Sequence, residues 1–384
     1  MLNIFCSPAR YVQGPDASRH LAAEMRKLGI AERPLIIASP SAWRQLEAIW
    51  SETFAAAHLD THHLVFGGEC SFPEIERCKQ EALRTRAGVI IGAGGGKALD
   101  TARAVASELN LPVVSCPTVA ASDAPCSALS VVYTPEGVFD RCLFYKRNPD
   151  LVLVDSRIIA QAPVRYLIAG MGDALATWFE ADTVQRAYKL NPLGGGGTLA
   201  ALAIARCCYE TLLADGRAAV AAARHGVLIP ALERIIEANV LLSGLGFESG
   251  GLAVAHAVHN GLTVVPETHG CLHGEKVAFG TLVQLVLEGR PLAEIQEVMA
   301  FCAAVGLPLT LQALGISALS PDQVQAVAMR AVAPVESSHN EPFAVEWRAV
   351  QDAILAADAL GQEFLGQAGG HPPIAWRAGK VGQA

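Results

Sequence analysis

The sequence lacks several features that would define its class by themselves. It has ten cysteines but no CxxC pair, which favours free thiols in a reducing compartment over a disulfide framework. The formal net charge is −8 and no basic run occurs, so nucleic acid is not expected as a partner. No apolar run approaches the roughly 18 residues of a membrane span, and the first residues are unlike a signal peptide. We therefore expect a cytoplasmic protein without a membrane partner.

The composition and the order of apolar runs indicate two domains. Hydrophobic residues make up 52% of the 384 residues and charged residues only 17%, so a large core is expected. Short apolar runs alternate with amphipathic stretches over residues 1–162, which predicts an α/β domain with a parallel sheet. Helical periodicity without a convincing strand predicts an all-α domain over 163–366. The Gly- and Pro-rich tail, 367–384, is expected to be disordered.

Glycine-rich sequence follows one of the predicted strands. Gly92–Lys97 reads GAGGGK and lies between a predicted strand at 88–91 and a predicted helix. Residues without a Cβ let a phosphate approach the backbone, and a helix N-terminus offers N–H donors and partial positive charge. No Ser or Thr follows the lysine, so this is not a Walker loop. The segment predicts a pyrophosphate site for a dinucleotide, and three polar groups of the 115–135 loop are further candidates: Thr118, Ser127 and Tyr133.

Histidines are crowded into one apolar, glycine-punctuated segment, Gly250–Gly280. Neutral imidazole is a common metal ligand, although a single buried histidine is more often a core residue. Two predicted helices, joined by a turn, would aim His256 and His273 at one point. His259 is either a neighbour or an outer-shell group, and His269 completes the four. The cluster as a whole favours a metal site.

A metal held by two histidines also needs an anionic ligand, for which Asp173 is the candidate. Gly170 and Gly172 are predicted to form a turn, with Asp173 opening the helix that follows. The alternative interpretation is a helix-capping aspartate. One Asp and two His would leave coordination positions open, as a catalytic zinc or non-haem iron requires.

Five ordered segments resemble the group III (iron-containing) family of metal-dependent alcohol dehydrogenases, and within it the glycerol dehydrogenases. They read GAGGGKALDTARAVA, TVAASDAPCSALSVVYT, GMGDALATWFEADT, FESGGLAVAHAVHNGLT and HGEKVAFGTLVQLVLE. FGGECSFPEIE near residue 66 and ESSHNEPF near residue 336 fit the same family. The resemblance runs from about Ile4 to Leu365. It implies a dehydroquinate synthase-like fold, with an α/β nucleotide-binding domain followed by an all-α domain.

The resemblance also implies cofactors and site residues. By motif, the metal ligands are Asp173, His256 and His273, and the carboxylate that contacts substrate is Asp123, so these four form the implied catalytic set. The metal would be Zn²⁺, with Fe²⁺ as the alternative, and the nucleotide would be NAD. Relatives form rings of eight, so a homo-oligomer is expected. The implied cofactor positions are Gly94, Gly95, Gly96, Lys97, Asp100, Thr118, Ala121, Ser127, Leu129 and Tyr133.

One position departs from the family pattern. Relatives commonly carry an Asp after the strand that reads LIIA here, and this Asp holds the adenosine ribose hydroxyls; this chain has Ser39 there. An acid at that position favours NAD and repels a 2′-phosphate. Ser39 therefore leaves NADP open beside NAD. Arg44 follows a few residues later, either reaching a phosphate or belonging to a solvated helix face.

The implied activity is oxidation of glycerol, or of a related vicinal diol, with hydride transfer to NAD; glycerol would give dihydroxyacetone. A metal would act as Lewis acid on the substrate hydroxyl, and Asp123 would orient that hydroxyl. Alternatives are a dehydrogenase for 2-hydroxy acids or other diols, and a dehydroquinate synthase-like lyase. The lyase is disfavoured because residues 115–135 contain no Arg or Lys to bind a phosphorylated substrate. A non-catalytic nucleotide-binding protein would require a degenerate ligand set, whereas all three ligands are present.

Overall fold

A parallel sheet forms the centre of the first half of the chain in the computed structural model, which describes residues 1–317 and 320–367. The strands are β1 (Tyr11–Gly14), β2 (Pro34–Ala38), β3 (His62–Val65), β4 (Val89–Gly94), β5 (Val113–Pro117), β6 (Leu129–Tyr133), β7 (Phe139–Phe144) and β8 (Leu151–Asp155). Six of them form one sheet in the order β1-β8-β5-β4-β2-β3, while β6 and β7 form an antiparallel pair. Every neighbouring pair of the large sheet is parallel, as the alternating pattern predicts.

The four central strands β2, β4, β5 and β8 are buried along their whole length. Strands covered on both faces read as continuous apolar runs, which is why sequence analysis finds them within a few residues. Strands β1 and β7 were not predicted. Strand β1 is a four-residue edge strand, YVQG, that is only half-buried, and β7 is mostly exposed, so neither carries a hydrophobic pattern.

Helices account for most of the remaining described residues. In chain order they are α1 (Leu21–Lys27), α2 (Pro40–Ala56), α3 (Phe72–Thr85), α4 (Gly96–Leu109), α5 (Ser156–Ala160), α6 (Val164–Arg186), α7 (Leu199–Arg224), α8 (Pro230–Glu237), α9 (Ser243–Gly250), α10 (Val254–Leu262), α11 (His273–Leu287), α12 (Leu292–Val305), α13 (Pro321–Ala331) and α14 (Trp347–Gln367). The predicted tail 367–384 lies outside the described residues, apart from Gln367 at the end of α14.

The chain forms two compact units, and each contains segments from both sides of the predicted boundary near residue 162. The α/β unit contains Cys6–Pro163 and also Ala222–Gly244. The helical unit contains Met1–Phe5, Val164–Ala221 and the described residues from Leu245 onward. The inclusion of α8 in the α/β unit has a clear cause: Gln13 on β1 and Ser156 on α5 both donate hydrogen bonds to the Glu233 carboxylate, at 2.8 and 2.6 Å.

The prediction of a turn at Gly170 and Gly172 is wrong. Both glycines lie inside α6, and Asp173 is in the middle of that helix rather than at its start. Gly172 is needed for packing, since a Cβ there would collide with the backbone oxygen of Gly274 on α11.

Among the described residues, no single helix is long and apolar enough to cross a membrane; only the bent pair Pro230–Gly250 and Val254–Leu262 passes that test, on length and composition alone.

Candidate functional sites

One carboxylate and two imidazoles meet in the helical unit. The Nε2 atom of His273 lies 3.0 Å from Oδ1 of Asp173, and Nε2 of His256 lies 3.4 Å from the same oxygen. One ligand atom from each residue lies within 4.8 Å of the other two. Asp173 is completely buried, while the side chains of His256 and His273 are 14% and 40% exposed. We call these three residues the Asp–His–His cluster.

The donor set of the Asp–His–His cluster fits a divalent transition metal. Two ligands held at about 2.0–2.1 Å by a tetrahedral zinc lie about 3.3 Å from each other, close to the two distances from Asp173. Both imidazoles present Nε2 to the carboxylate and use Nδ1 for another partner, as metal-binding histidines commonly do. Three protein ligands would leave a position for substrate or water.

Close approach of two helices makes this arrangement possible. Asp173 is on α6, and His273 is the first residue of α11. Gly274, directly after His273, packs so tightly that a Cβ there would lie 2.7 Å from the carbonyl carbon of Ala169 and 2.9 Å from the backbone nitrogen of Asp173. The glycine therefore lets the start of α11 contact the backbone of α6 beside the carboxylate.

Glu180 holds the first imidazole. It lies on α6 about two helical turns after Asp173, so the two carboxylates share a face of the helix. One oxygen of Glu180 lies 2.6 Å from Nδ1 of His256, and the other accepts the backbone N–H groups of Ala253 and His256. Burial would lower the pKa of His256, but Glu180 and Asp173 raise it well above its usual value. Burial by itself would raise the pKa of Asp173, but His273 and His256 hold that pKa below its ordinary value. Glu180 therefore ties both the ring of His256 and the start of α10 to α6, beside Asp173.

His259 holds the second imidazole. Its Nε2 atom lies 3.0 Å from Nδ1 of His273, while its own Nδ1 lies 3.0 Å from Oδ1 of Asn260. Burial, followed by the charge of His273, lowers the pKa of His259 well below its usual value. His259 is thus an outer partner of the cluster. His269 is exposed, and its Nε2 lies 3.1 Å from the backbone oxygen of Thr263, outside the cluster.

The glycine-rich segment has the geometry of a strand-to-helix turn. Strand β4 ends at Gly94, Gly95 caps α4, and α4 begins at Gly96. Gly94 has φ +142°, in the region that favours glycine. A Cβ at Gly94 would lie 3.0 Å from the hydroxyl of Ser39, so the position that departs from the family pattern lies directly beside this turn. The backbone here can approach a phosphate at a helix N-terminus.

Lys97 is paired within the α/β unit. Its Nζ lies 2.5 Å from Oε2 of Glu69 and over the ring of Tyr133, at 5.1 Å from the centroid. Burial raises the pKa of Tyr133 well above its usual value, so its hydroxyl remains protonated. Lys97 and Tyr133 therefore lie together beside the glycine turn, with Glu69 as a partner that sequence analysis did not single out.

Asp100 lies in a different environment from the other predicted cofactor residues. It is buried and accepts hydrogen bonds from Arg103, at 2.9 Å, and from the backbone of Val131, at 3.0 Å. Burial raises its pKa to about 6, although Arg103 and the Val131 N–H favour the ionised form. Arg103 also donates to the backbone oxygens of Ala124 and Leu129. This pair ties α4 to the 115–135 loop, and a direct cofactor contact by Asp100 stays a prediction.

The remaining predicted positions lie along that loop. Thr118 donates its N–H to the Gly94 oxygen, and the hydroxyl of Ser127 donates to Ala124. Asp123 is half-buried and accepts a hydrogen bond from Ser243 at 3.0 Å. Ala121 lies two residues before Asp123, and Leu129 begins β6. The loop thus presents polar groups after β5, at the carboxyl edge of the sheet where ligands of parallel sheets bind.

Comparisons with known proteins identify the class of this chain. The sequence profile of the iron-containing alcohol dehydrogenases matches residues 8–156. Glycerol dehydrogenase of Pseudomonas putida is 52% identical over 359 residues, covering 94% of this chain and 98% of that protein. The chain belongs to the iron-containing alcohol dehydrogenase family and is an oxidoreductase. This confirms the predicted family and, with it, the predicted fold class.

Other relatives are equally full-length. Glycerol dehydrogenase of Thermotoga maritima is 49% identical, covering 94% of this chain and 98% of that protein. The crystal structure of glycerol dehydrogenase from Schizosaccharomyces pombe superposes with a TM-score of 0.94 at 39% identity, covering 98% of this chain and 96% of that one. Membership of the family supports a metal and NAD as cofactors.

Proposed function

We propose that this protein oxidises glycerol to dihydroxyacetone with NAD as hydride acceptor and Zn²⁺ as its metal. The observation that carries the proposal is the Asp–His–His cluster in a chain about half identical to glycerol dehydrogenases over nearly its whole length. In the reaction, the secondary carbon of glycerol loses a hydride, its hydroxyl loses a proton, and NAD becomes NADH. A lyase of related fold would yield no net NADH.

Asp173, His256 and His273 would hold the metal. A bound divalent cation would supply Lewis-acid polarisation of the substrate hydroxyl and lower the pKa of that hydroxyl. The two imidazoles must be neutral to act as ligands. Their Nδ1 atoms face Glu180 and His259, so Nε2 of each ring is the atom directed at the Asp173 carboxylate. Both zinc and iron accept this donor set. Hydride transfer requires no change in the oxidation state of the metal, so an ion without redox chemistry such as zinc suffices.

The α/β unit would bind the dinucleotide. The turn at Gly94–Gly96 would receive the pyrophosphate, with Lys97 adding positive charge. Thr118, Ala121, Ser127, Leu129 and Tyr133 would line the same ligand, and Asp123 would orient a substrate hydroxyl. The hydrogen bond from Ser243 holds the Asp123 carboxylate in place, which supports an orienting role.

NAD is the proposed nucleotide, and Ser39 makes use of NADP a specific alternative. The side chain of Ser39 caps α2 by accepting the N–H of Ala42 at 3.2 Å. A neutral hydroxyl occupies the place of an acid that would repel a 2′-phosphate.

We also propose a homo-oligomer, an octamer by resemblance, which light scattering of the purified protein would test.

Initial rates with NAD and NADP against glycerol, 1,2-propanediol and lactate, with and without added zinc, test the proposed activity. We expect the highest rate with glycerol and NAD, and a rate that depends on zinc. Faster oxidation of lactate would favour the 2-hydroxy acid alternative, and faster oxidation of propanediol would favour another diol. Absence of nicotinamide reduction with all three would contradict the proposal.

Replacement of His273 by Ala tests the metal assignment. We expect bound zinc and turnover to be lost together, because His273 provides one of three ligands. His269→Ala is the matched control, since His269 lies in the same segment but outside the cluster. Metal analysis by mass spectrometry, alongside initial rates, measures both. Full zinc content and activity in His273→Ala would refute the assignment.

A further inference from the structure

A line of hydrogen bonds leads away from the Asp–His–His cluster and ends at an ion pair. It runs from His273 to His259, from His259 to Asn260, and from Asn260 to Glu336, at 3.0, 3.0 and 2.8 Å. Glu336 in turn accepts from Arg330. We call His259, Asn260 and Glu336 the outer chain. Glu336 begins the ESSHNEPF segment, whose Ser337 and Asn340 donate hydrogen bonds to the backbone just before α10.

The chemistry of its last member gives the outer chain a direction. The Asn260 amide turns its NH₂ group toward Glu336 and donates to the carboxylate oxygen at 2.8 Å, the only role a carboxylate leaves for its partner. The Asn260 oxygen is then left to accept the Nδ1–H of His259. With its proton on Nδ1, His259 offers a lone pair at Nε2, which accepts the Nδ1–H of His273.

The consequence appears at the metal-facing side of His273. Because its proton is held on Nδ1, the lone pair of neutral His273 lies on Nε2, the atom 3.0 Å from Asp173. A metal ligand must present a lone pair, and the partner of the other ring nitrogen decides which atom carries it. His256 reaches the same state through direct contact with Glu180 at 2.6 Å. A glutamate therefore sets the tautomer of each imidazole. Glu180 acts on His256 directly, and Glu336 acts on His273 through two side chains.

We propose that His259, Asn260 and Glu336 are positioning residues that hold His273 in its metal-binding tautomer and ring orientation, and so set the affinity of the metal centre. This inference rests on the proposed metal ligands. Outer partners of metal-bound histidines typically contribute about 10- to 100-fold in metal affinity. His259 is half-buried and lies one helical turn after His256 on α10, so the hairpin of α10 and α11 carries both a ligand and the support of the other ligand.

The test is a zinc titration of metal-free protein against a chromogenic chelator, for the parent and three variants. His259→Leu removes the acceptor for His273 and is expected to weaken zinc binding about 10- to 100-fold. His259→Gln keeps an acceptor oxygen and is expected to recover part of that loss. Glu336→Gln replaces a group that only accepts hydrogen bonds with one that can also donate. We therefore expect weaker zinc binding, as for His259→Leu.

Two controls separate positioning from general damage to the fold. His269→Leu removes an exposed histidine of the same segment and should leave zinc affinity unchanged. Thermal unfolding of the metal-free variants should match that of the metal-free parent, because a purely structural defect would lower this melting temperature. Glu336→Gln and His259→Gln keep the test valid if His259→Leu does not fold.

Unchanged zinc affinity in both His259→Leu and Glu336→Gln would overturn the outer chain while leaving the metal ligands in place. Loss of zinc affinity that tracks a lower melting temperature of the metal-free protein would overturn it as well. A parent protein that binds no zinc would overturn both this inference and the proposed ligands, which His273→Ala examines separately.

Discussion

Replacing Gly274 with Ala probes the contact on which the Asp–His–His cluster depends. The new Cβ would lie 2.7 Å from the carbonyl carbon of Ala169, and closer still to its oxygen. Ordinary van der Waals contact begins at 3.4 Å, so 3.4 minus 2.7 leaves at least 0.7 Å by which α11 must move away from α6. The neighbouring atoms belong to helix backbone and cannot rotate aside. The displacement would act directly on His273, whose Nε2 lies 3.0 Å from Asp173.

Two consequences of that movement can be measured. Overpacking of this kind typically costs about 1–3 kcal/mol, although Ala in a helix interior would otherwise be favoured over Gly by about 1 kcal/mol. We therefore expect a lower melting temperature in scanning calorimetry of the metal-free protein. We also expect weaker zinc binding in chelator competition, because the three ligand atoms would no longer converge.

Gly270→Ala is the matched control for Gly274→Ala. A Cβ at Gly270 would meet no atom within 4 Å, and the residue lies in the loop just before α11. We expect its stability and zinc affinity to equal those of the parent. A Gly274→Ala protein with the stability and zinc affinity of the parent would refute the argument that close helix contact builds the cluster.

Three further outcomes are expected. Glu180→Gln should weaken zinc binding without altering NAD affinity, because only the support of His256 is reduced; equal loss of both would contradict this. Chelation of the metal should lower the melting temperature of the parent, because the stabilisation by a bound ligand grows with the logarithm of its affinity; an unchanged melting temperature would contradict a tightly bound metal. Burial, then the charges of Glu288 and Glu180, raise the pKa of Glu341 from 4.5 to about 8. The folded state therefore binds this proton more tightly, so stability is full below pH 4.5 and declines as the pH rises toward 8. In urea unfolding between pH 5 and 9, Glu341→Gln should reduce that decline, and an identical pH dependence would contradict the assignment.

Much of the α/β unit could be predicted because its signals are local. Buried parallel strands are continuous apolar runs, and a glycine turn before a helix is visible in a few consecutive residues. The metal candidates also came from sequence, since imidazoles are rare in apolar helical segments. The role of Glu180 could also have been predicted, because this residue lies about two helical turns after Asp173 on the same face of the helix.

Other features depend on which helices touch. A glycine in sequence favours a turn, but Gly172 and Gly274 are instead the contact surfaces of α6 and α11. The inclusion of 222–244 in the α/β unit follows from hydrogen bonds to Glu233, which no periodicity indicates. The ion pair of Lys97 with Glu69 was likewise hidden, because the two residues are far apart in the sequence and meet only in the folded chain.

The sequence by itself determined the kinds of element, the glycine turn before α4 and the residue types able to bind a metal, because backbone preferences and side-chain chemistry act over a few residues. Only the tertiary structure decided that Asp173 meets His256 and His273, and that Glu180 and Glu336 stand behind the two imidazoles. Those relations join residues far apart in the chain. They exist because glycine contacts let helices approach until side chains can exchange hydrogen bonds.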